Sequence, residues 1–345
     1  MKKNSLLLAI LVSAISIQAQ TKEEPYQTKS LANESINNVK VETSGGSISV
    51  TGVNNSEARI EVYVRANNGK ENSLTKEEIL KRISEDYDLT VSVSNNKLTA
   101  IAKPKERNMN WKRALNISFK VYSPQTIGTD LSTSGGSIHL SNVTGSQDFK
   151  TSGGSLHLEN VGGNIKGRTS GGSIHVKDSK DEIDLSTSGG SIHASNCNGN
   201  MNLSTSGGSL QLSDLKGQVK ASTSGGSVNG HTIQGELSAH TSGGNIKLED
   251  LSCSLETSTS GGHIDVAIKE FGKYVTITNS GGNIHLQIPT NKGIDLKLRG
   301  DKINTSTLTN FSGSIEDDEI DGKLNGGGIP VTVRAGSGKI QLAMK

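Results

Sequence analysis

The stretch Thr169-Ser170-Gly171-Gly172-Ser173-Ile174-His175-Val176-Lys177-Asp178-Ser179-Lys180-Asp181-Glu182-Ile183-Asp184-Leu185-Ser186 is followed at once by Thr187-Ser188-Gly189-Gly190, and the pattern begins again. Thr opens the same tetrapeptide at 133, 151, 169, 187, 205, 223, 241 and 259, a constant step of eighteen residues. So regular a period is the mark of a solenoid, in which one short unit stacks on copies of itself. An outlying copy starts at Thr43, and a variant, Asn279-Ser280-Gly281-Gly282-Asn283-Ile284-His285-Leu286, arrives after twenty residues.

Numbered from its Thr, each unit places apolar residues at positions 6, 8, 11, 15 and 17, as in Ile174, Val176, Ile183 and Leu185. Alternation at 6 and 8, and again at 15 and 17, has the period of a strand and not of a helix. Each coil is therefore expected to hold two short strands. Ser-Gly-Gly at positions 2 to 4 supplies residues that can take positive φ at a first corner, and the frequent Gly at 13 does so at a second. Position 11, occupied by Val143, Val161, Cys197, Leu215, Ile233 and Leu251, plugs that second corner from inside, with Cys197 acting as a small core hydrophobe. Counting on from 17, the next inward position is the Thr of the following coil, so Thr133 to Thr259 should stack as an inward or corner ladder with hydroxyls bonding one coil away. This alternation turns the threonines the wrong way for an ice-binding array. A lone coil buries too little to offset the ordering of its backbone, so the coils must stack and the ends need caps. The expected fold is an all-β, single-stranded β-helix or β-solenoid of eighteen-residue coils, with one short helix in the N-terminal cap.

Composition agrees with a thin stack. The chain has 345 residues, 31% apolar and 3% aromatic, and five apolar positions in eighteen is about 28%. So few aromatic residues argue against an aromatic-walled enzyme pocket. A formal charge of +2 implies no general field for polyanions, and no nucleic acid is expected as a partner.

Met1-Lys2-Lys3, the apolar run Leu6 to Ile17 and the small Ala19 read as a secretory signal peptide over residues 1–19, too short to span a membrane, with a polar leader over 20–34. No cysteine precedes Cys197, which excludes a lipoprotein-type attachment at the cleavage site, and no transmembrane segment is expected after cleavage. Residues 35–130 read as a strand-rich cap that shields the open end of the stack. Arg59 to Val64, Leu89 to Val93, Lys97 to Ala102 and Leu115 to Val121 alternate as strands, and a helix over about 75–87 opens on the capping box Thr75-Lys76-Glu77-Glu78. Regular coils occupy 131–288. Residues 289–345 read as a worn continuation, with Ser312-Gly313-Ser314-Ile315 and Ser337-Gly338-Lys339-Ile340 as degenerate repeats. Cys197 and Cys253 fall three coils apart, about 14 Å, beyond disulfide reach, and both are expected to be free.

The extended strands before residue 70, the polar helix, the strand ending Val121-Tyr122-Ser123-Pro124, the Ser-Gly-Gly-Ser-Ile coils and the terminal Gly-Ser-Gly-Lys-Ile-Gln-Leu resemble the bacterial putative-adhesin family of β-helical domains, a family of unknown function. The resemblance covers most of residues 35–345. It implies a surface or envelope binding role and carries no catalytic residues.

Outward position 7 holds His139, His157, His175 and His193 in four consecutive coils, continued by Gln211, Asn229, Lys247 and Asp265, with His285 after the irregular step. One reading is a solvated strand face copied by repeat duplication. The other is a weak Zn, Cu or Ni site, for which imidazoles about 4.8 Å apart would have to pinch together, with no recurrent carboxylate or thiolate beside them. Trp111, Lys112 and Arg113, among Lys103, Lys105 and Arg107, form a basic loop that could meet a sugar or an anionic headgroup, or simply fold back on the cap. Glu316-Asp317-Asp318-Glu319-Ile320-Asp321 lacks the ligand spacing of a calcium loop. A calcium β-roll would need an Asp in its glycine turn, which Thr-Ser-Gly-Gly-Ser lacks. Outward position 16 reads Asp148, Lys166, Asp184, Asn202, Lys220, Ser238 and Glu256, with no acid cluster for a lyase or hydrolase.

The sequence therefore points to an exported, non-enzymatic β-solenoid, an adhesin-like surface or envelope scaffold for glycan or protein, without a cofactor and without catalytic residues. The alternatives are a carbohydrate-active β-helix enzyme and an envelope-stress or signalling accessory protein.

Overall fold

The computed structural model describes residues 24–67, 74–106 and 112–345. Among them are twenty-five strands joined in one hydrogen-bonded network, one α-helix, Lys76–Asp86, and a 3-10 turn, Asn55–Glu57. The signal segment read at residues 1–19 lies outside the described residues.

Equivalent residues of neighbouring units face one another in parallel. Leu156 lies between Ile138 and Ile174, and Thr169 between Thr151 and Thr187. Side chains at positions 6, 8, 15 and 17 fill the interior: Ile174, Val176, Ile183 and Leu185 are all buried. The fit is local as well as periodic. A Cβ on Gly167 would lie 2.2 Å from Phe149 Cε2, so one glycine makes room for the aromatic ring in the coil before it. Some units run as a single strand, such as Ile138–Thr151 and Leu210–Thr223. Others split, such as Ile174–Lys177 and Lys180–Thr187, where position 11 is the buried Ser179.

The corners differ from the sequence expectation in an instructive way. Positive φ falls at position 13, in Gly145, Gly163, Gly199, Gly217 and Gly235, and at position 10, in Asn142, Asn160, Asp178, Asn196, Asp214, Thr232 and Asp250. Asn and Asp are the non-glycine residues that best tolerate the left-handed region, which explains that column. None of the twin glycines of the Thr-Ser-Gly-Gly motifs is among the positive-φ residues, so the first corner does not use them for left-handed turns. The second glycine is needed for close approach instead. A Cβ on Gly154 would sit 1.9 Å from the carbonyl oxygen of Gly136, and one on Gly190 would sit 2.0 Å from that of Gly172.

The threonines turn inward and are buried. Their hydroxyls do not bond each other. Thr187 Oγ1 donates to the Gly172 carbonyl of the preceding coil at 2.8 Å and accepts from the Gly190 N–H at 3.3 Å, and the same pair recurs at Thr151, Thr169, Thr205, Thr223 and Thr241. Position 5 completes the corner: the Ser173 N–H donates to Ser155 Oγ, and the Ser191 N–H to Ser173 Oγ, both at 3.2 Å. Asn245 and His263 hold the same place with other acceptors, Oδ1 and Nδ1, which shows what the position requires. Backbone groups that must turn a corner still need partners, and this ladder supplies them.

Both ends of the stack are interlaced. Asn38–Thr43 and Ile48–Val53 lie directly on the coil of Thr133, with Thr133 Oγ1 donating to the Gly46 carbonyl, so the interruption between them in sequence is absent in space. On their other edge they pair with Lys97–Pro104 and Leu115–Pro124. Antiparallel strands then close that end: Tyr87–Ser94 on Lys97–Pro104, Arg59–Ala66 on Leu115–Pro124, and Gln27–Ser30 on Arg59–Ala66. The helix starts at Thr75, whose hydroxyl accepts from the Glu78 N–H, and buries Ile83; Tyr87, at the margin of the expected helix, opens the next strand.

At the other end the last strands, Ile329–Ala335 and Lys339–Met344, slot between the coil of Ile264–Ile288 and the strands Ile294–Arg299 and Lys302–Thr305. The C-terminal region is thus not a simple continuation. Ser337-Gly338-Lys339-Ile340 does take a coil position, with Ile340 beside Ile284. Ser312 to Ile315 does not: it pairs antiparallel with Glu319–Leu324 as a closing hairpin. Cys197 and Cys253 are buried free thiols, and burial pushes the Cys253 thiol up to about 12.

Candidate functional site

Strict register turns every outward position into a column along the stack, and two columns are chemically distinctive. The first is the histidine column. His139, His157, His175 and His193 stack face to face with ring centroids 4.6, 5.1 and 4.7 Å apart and planes within 8° of parallel. His193 Nδ1 continues the contact to Gln211 Oε1 at 2.9 Å. A metal lies in the plane of the imidazole that binds it, about 2.0 Å from the nitrogen. Parallel rings nearly 5 Å apart therefore direct their lone pairs alongside one another, not at a shared point. Among the described residues no group of three or more His, Cys, Asp or Glu side chains is placed to hold a metal.

What the column does have is a proton equilibrium. Partial burial lowers the pKa of His139, and of His157 and His175, for which the neighbouring imidazoles add repulsion. A histidine held below its ordinary value stabilises the fold above the unfolded pKa, near 6.5, and that contribution is lost as pH falls through it, because the unfolded chain binds more protons. Thermal unfolding should move to lower temperature between pH 7.5 and 5.5. Replacing the four by Gln, the residue the column already carries at 211, should flatten that dependence.

The second feature is a groove of about 370 Å³ built from positions 14 and 16 of five successive coils. Asn164, Glu182, Asn200, Gln218 and Glu236 form one wall column, and Asp184, Asn202, Lys220 and Ser238 the other, with Ile183, Met201 and Val219 between them. Carboxamides tie the carboxylates of the preceding coil: Asn200 Nδ2 donates to Glu182 Oε1 at 2.6 Å, and Asn202 Nδ2 to Asp184 Oδ1 at 2.9 Å. The Tyr274 hydroxyl donates to Glu236 Oε1 at 3.1 Å. Read one column at a time, position 16 has no acid cluster. Position 14 brings Glu182 onto the same face as Asp184, a signal available in the sequence through the same period-two count.

Lys105 and Arg113, on either side of the residues outside the description, clasp the helix. Arg113 donates to Asp86 and Glu85 at the end of the helix, at 3.0 and 2.8 Å, and Lys105 Nζ to the Ser84 carbonyl. Lys112 is also engaged, and Trp111 lies outside the described residues. In the acidic run, Glu319 receives both hydrogen bonds from Arg299 and Asp321 pairs with Lys297 at 3.1 Å, so these acids fasten the closing hairpin.

A family model described as Toastrack DUF4097 matches residues 176–343. The likeness to that family covers just under half of the chain. Glu182, Asp184 and the groove residues that follow them fall inside the matched span, whereas Asn164 of the groove and His139, His157 and His175 precede it. No curated protein matches the sequence. Two crystal structures are similar at low identity. A putative cell adhesion protein from Clostridium sporogenes is 10% identical over 92% of this chain and 98% of its own, with a TM-score of 0.18. A putative adhesin from Bacteroides fragilis is 13% identical over 92% and 95%, with a TM-score of 0.25. Among the described residues no helix is long and apolar enough to cross a membrane.

Proposed function

We propose that the chain is an exported, non-enzymatic, adhesin-like scaffold, a β-solenoid of eighteen-residue coils that offers glycan or envelope protein many weak polar contacts at once. The observation that carries this reading is the groove of positions 14 and 16. Amides, carboxylates and a lysine repeat there at one-coil steps of about 4.8 Å, about 19 Å over five coils. An extended ligand lying along the axis would meet equivalent groups in succession, and linked weak contacts multiply in effect. The test is a glycan array probed with the purified protein and with an Asn200→Ala/Gln218→Ala/Lys220→Ala variant. Expected is binding to extended glycans that the variant loses by about tenfold or more; an array with no bound glycan, or equal binding by the variant, would remove the reading.

One observation favours a second reading. Glu182 and Asp184 lie two residues apart on the same strand face, so two carboxylates project side by side into the groove, the pair of groups that glycoside hydrolysis uses. Both are held by asparagines of the next coil, which supports a binding role. Incubation with the glycan found on the array separates the two: release of reducing ends that Glu182→Gln abolishes would establish the enzyme.

A further inference from the structure

The histidine column ends abruptly where the stack meets its N-terminal cap. Across the strands the row of equivalent outward residues runs His157, His139, Ser49, Lys120, Glu61. The next rows run Ser47, Ser118, Tyr63 and then Asn116, Arg65. Small residues therefore lie between tall ones. Gly45, Gly46, Ser47 and Ser49 form a low floor, with His139 on one side and Tyr63, Arg65 and Lys120 on the other. The result is a cavity of about 440 Å³ that also takes in Asn116 and Ser118.

Its chemistry has a definite sign. Arg65 and Lys120 line it, and among the described residues no carboxylate does. Glu61, across the strand from Lys120 and within reach of its charge, accepts from Arg59 Nε and from the Tyr63 hydroxyl, each at 2.8 Å. Lys120 Nζ lies over the Tyr63 ring, 4.4 Å from its centre, which fixes the ammonium at the rim. Around the two cations stand neutral hydrogen-bonding groups: three serine hydroxyls, the Asn116 amide and the His139 imidazole. Two cations fixed beside several hydroxyl and amide groups match a small molecule that bears one oxyanion and several hydroxyls.

We propose that this cavity at the junction of cap and stack binds a negatively charged sugar residue, its oxyanion held by Arg65 and Lys120 and its hydroxyls by Ser47, Ser49, Ser118 and Asn116. The site is separate from the groove of positions 14 and 16, so it stands or falls independently of that reading.

The test is calorimetric titration of the whole protein with glucuronate, glucose 6-phosphate, glucose and inorganic phosphate, with the histidine ring resonances followed by NMR. Expected is saturable binding of one or both charged sugars, at least about tenfold tighter than glucose or phosphate alone. The two charged sugars distinguish a carboxylate from a phosphate as the recognised group. Binding should shift His139 and leave His193, three coils away, unmoved. Lys120→Met and Arg65→Gln, checked for unchanged melting, should each weaken it by about tenfold, while Lys220→Ala in the distant groove should leave it unchanged. Equal binding of glucose, equal binding of inorganic phosphate, no binding at all, or binding insensitive to both substitutions would each overturn the assignment.

Discussion

Gly190→Ala should destabilise the protein by about 3 kcal/mol or more, whereas Gly189→Ala, one residue away, should change stability by less than about 1 kcal/mol and in the favourable direction. A methyl on Gly190 would be forced to 2.0 Å from the Gly172 oxygen, and that neighbour is backbone held in the stack, so it cannot swing aside. A methyl on Gly189 meets its nearest atom, the Ser170 oxygen, at 3.5 Å, an ordinary contact, and Gly189 is not a positive-φ residue. The alanine there then removes only freedom of the unfolded chain. Denaturation midpoints of the two variants decide the matter. Equal losses would mean that the motif keeps two glycines for flexibility and not one for contact.

Thr187→Val should cost about 2 to 4 kcal/mol, and Thr187→Ser much less. The hydroxyl bridges two buried backbone groups, the Gly172 carbonyl and the Gly190 N–H, and valine fills the same volume while leaving both without it. Serine keeps the bridge and loses a methyl. If instead valine were tolerated and serine were not, packing would outweigh hydrogen bonding in the ladder. Chemical denaturation of the two variants, compared with the unmodified protein, distinguishes these outcomes.

These two expectations mark where the sequence was readable. A Thr every eighteen residues and apolar residues at 6, 8, 11, 15 and 17 report the interior directly, since each is a one-dimensional pattern imposed by the pleat. The helix was readable from Thr75 and Glu78, which close the cap locally. The reason for the twin glycines was not, because Gly190 owes its identity to an oxygen eighteen residues earlier. Asn142, Asn160 and Asn196 did carry a local signal for a left-handed residue at position 10, overshadowed by the more conspicuous glycines. The ends were opaque for a different reason. Ser312-Gly313-Ser314-Ile315 and Ser337-Gly338-Lys339-Ile340 look alike, yet one forms a hairpin and the other a coil, and only long-range pairing separates them. Both candidate cavities share that origin: Glu182 meets Asn200, and Ser49 lies between His139 and Lys120, through register between distant segments.

The interlaced ends also determine how the molecule resists being pulled. An ordinary stack loses its outermost layer first, unzipping one row of bonds at a time. Here a tension applied from the C-terminal side reaches Lys339–Met344 between Ile284–Ile288 and Lys302–Thr305, and one from the N-terminal side, once the edge strand Gln27–Ser30 has left Arg59–Ala66, reaches Asn38–Thr43 between Lys97–Pro104 and Gly128–Thr133. Each can leave only by breaking two rows together. The chain is knitted at its ends like a bound hem, and a load carried along it is shared by the whole fabric before any single thread runs.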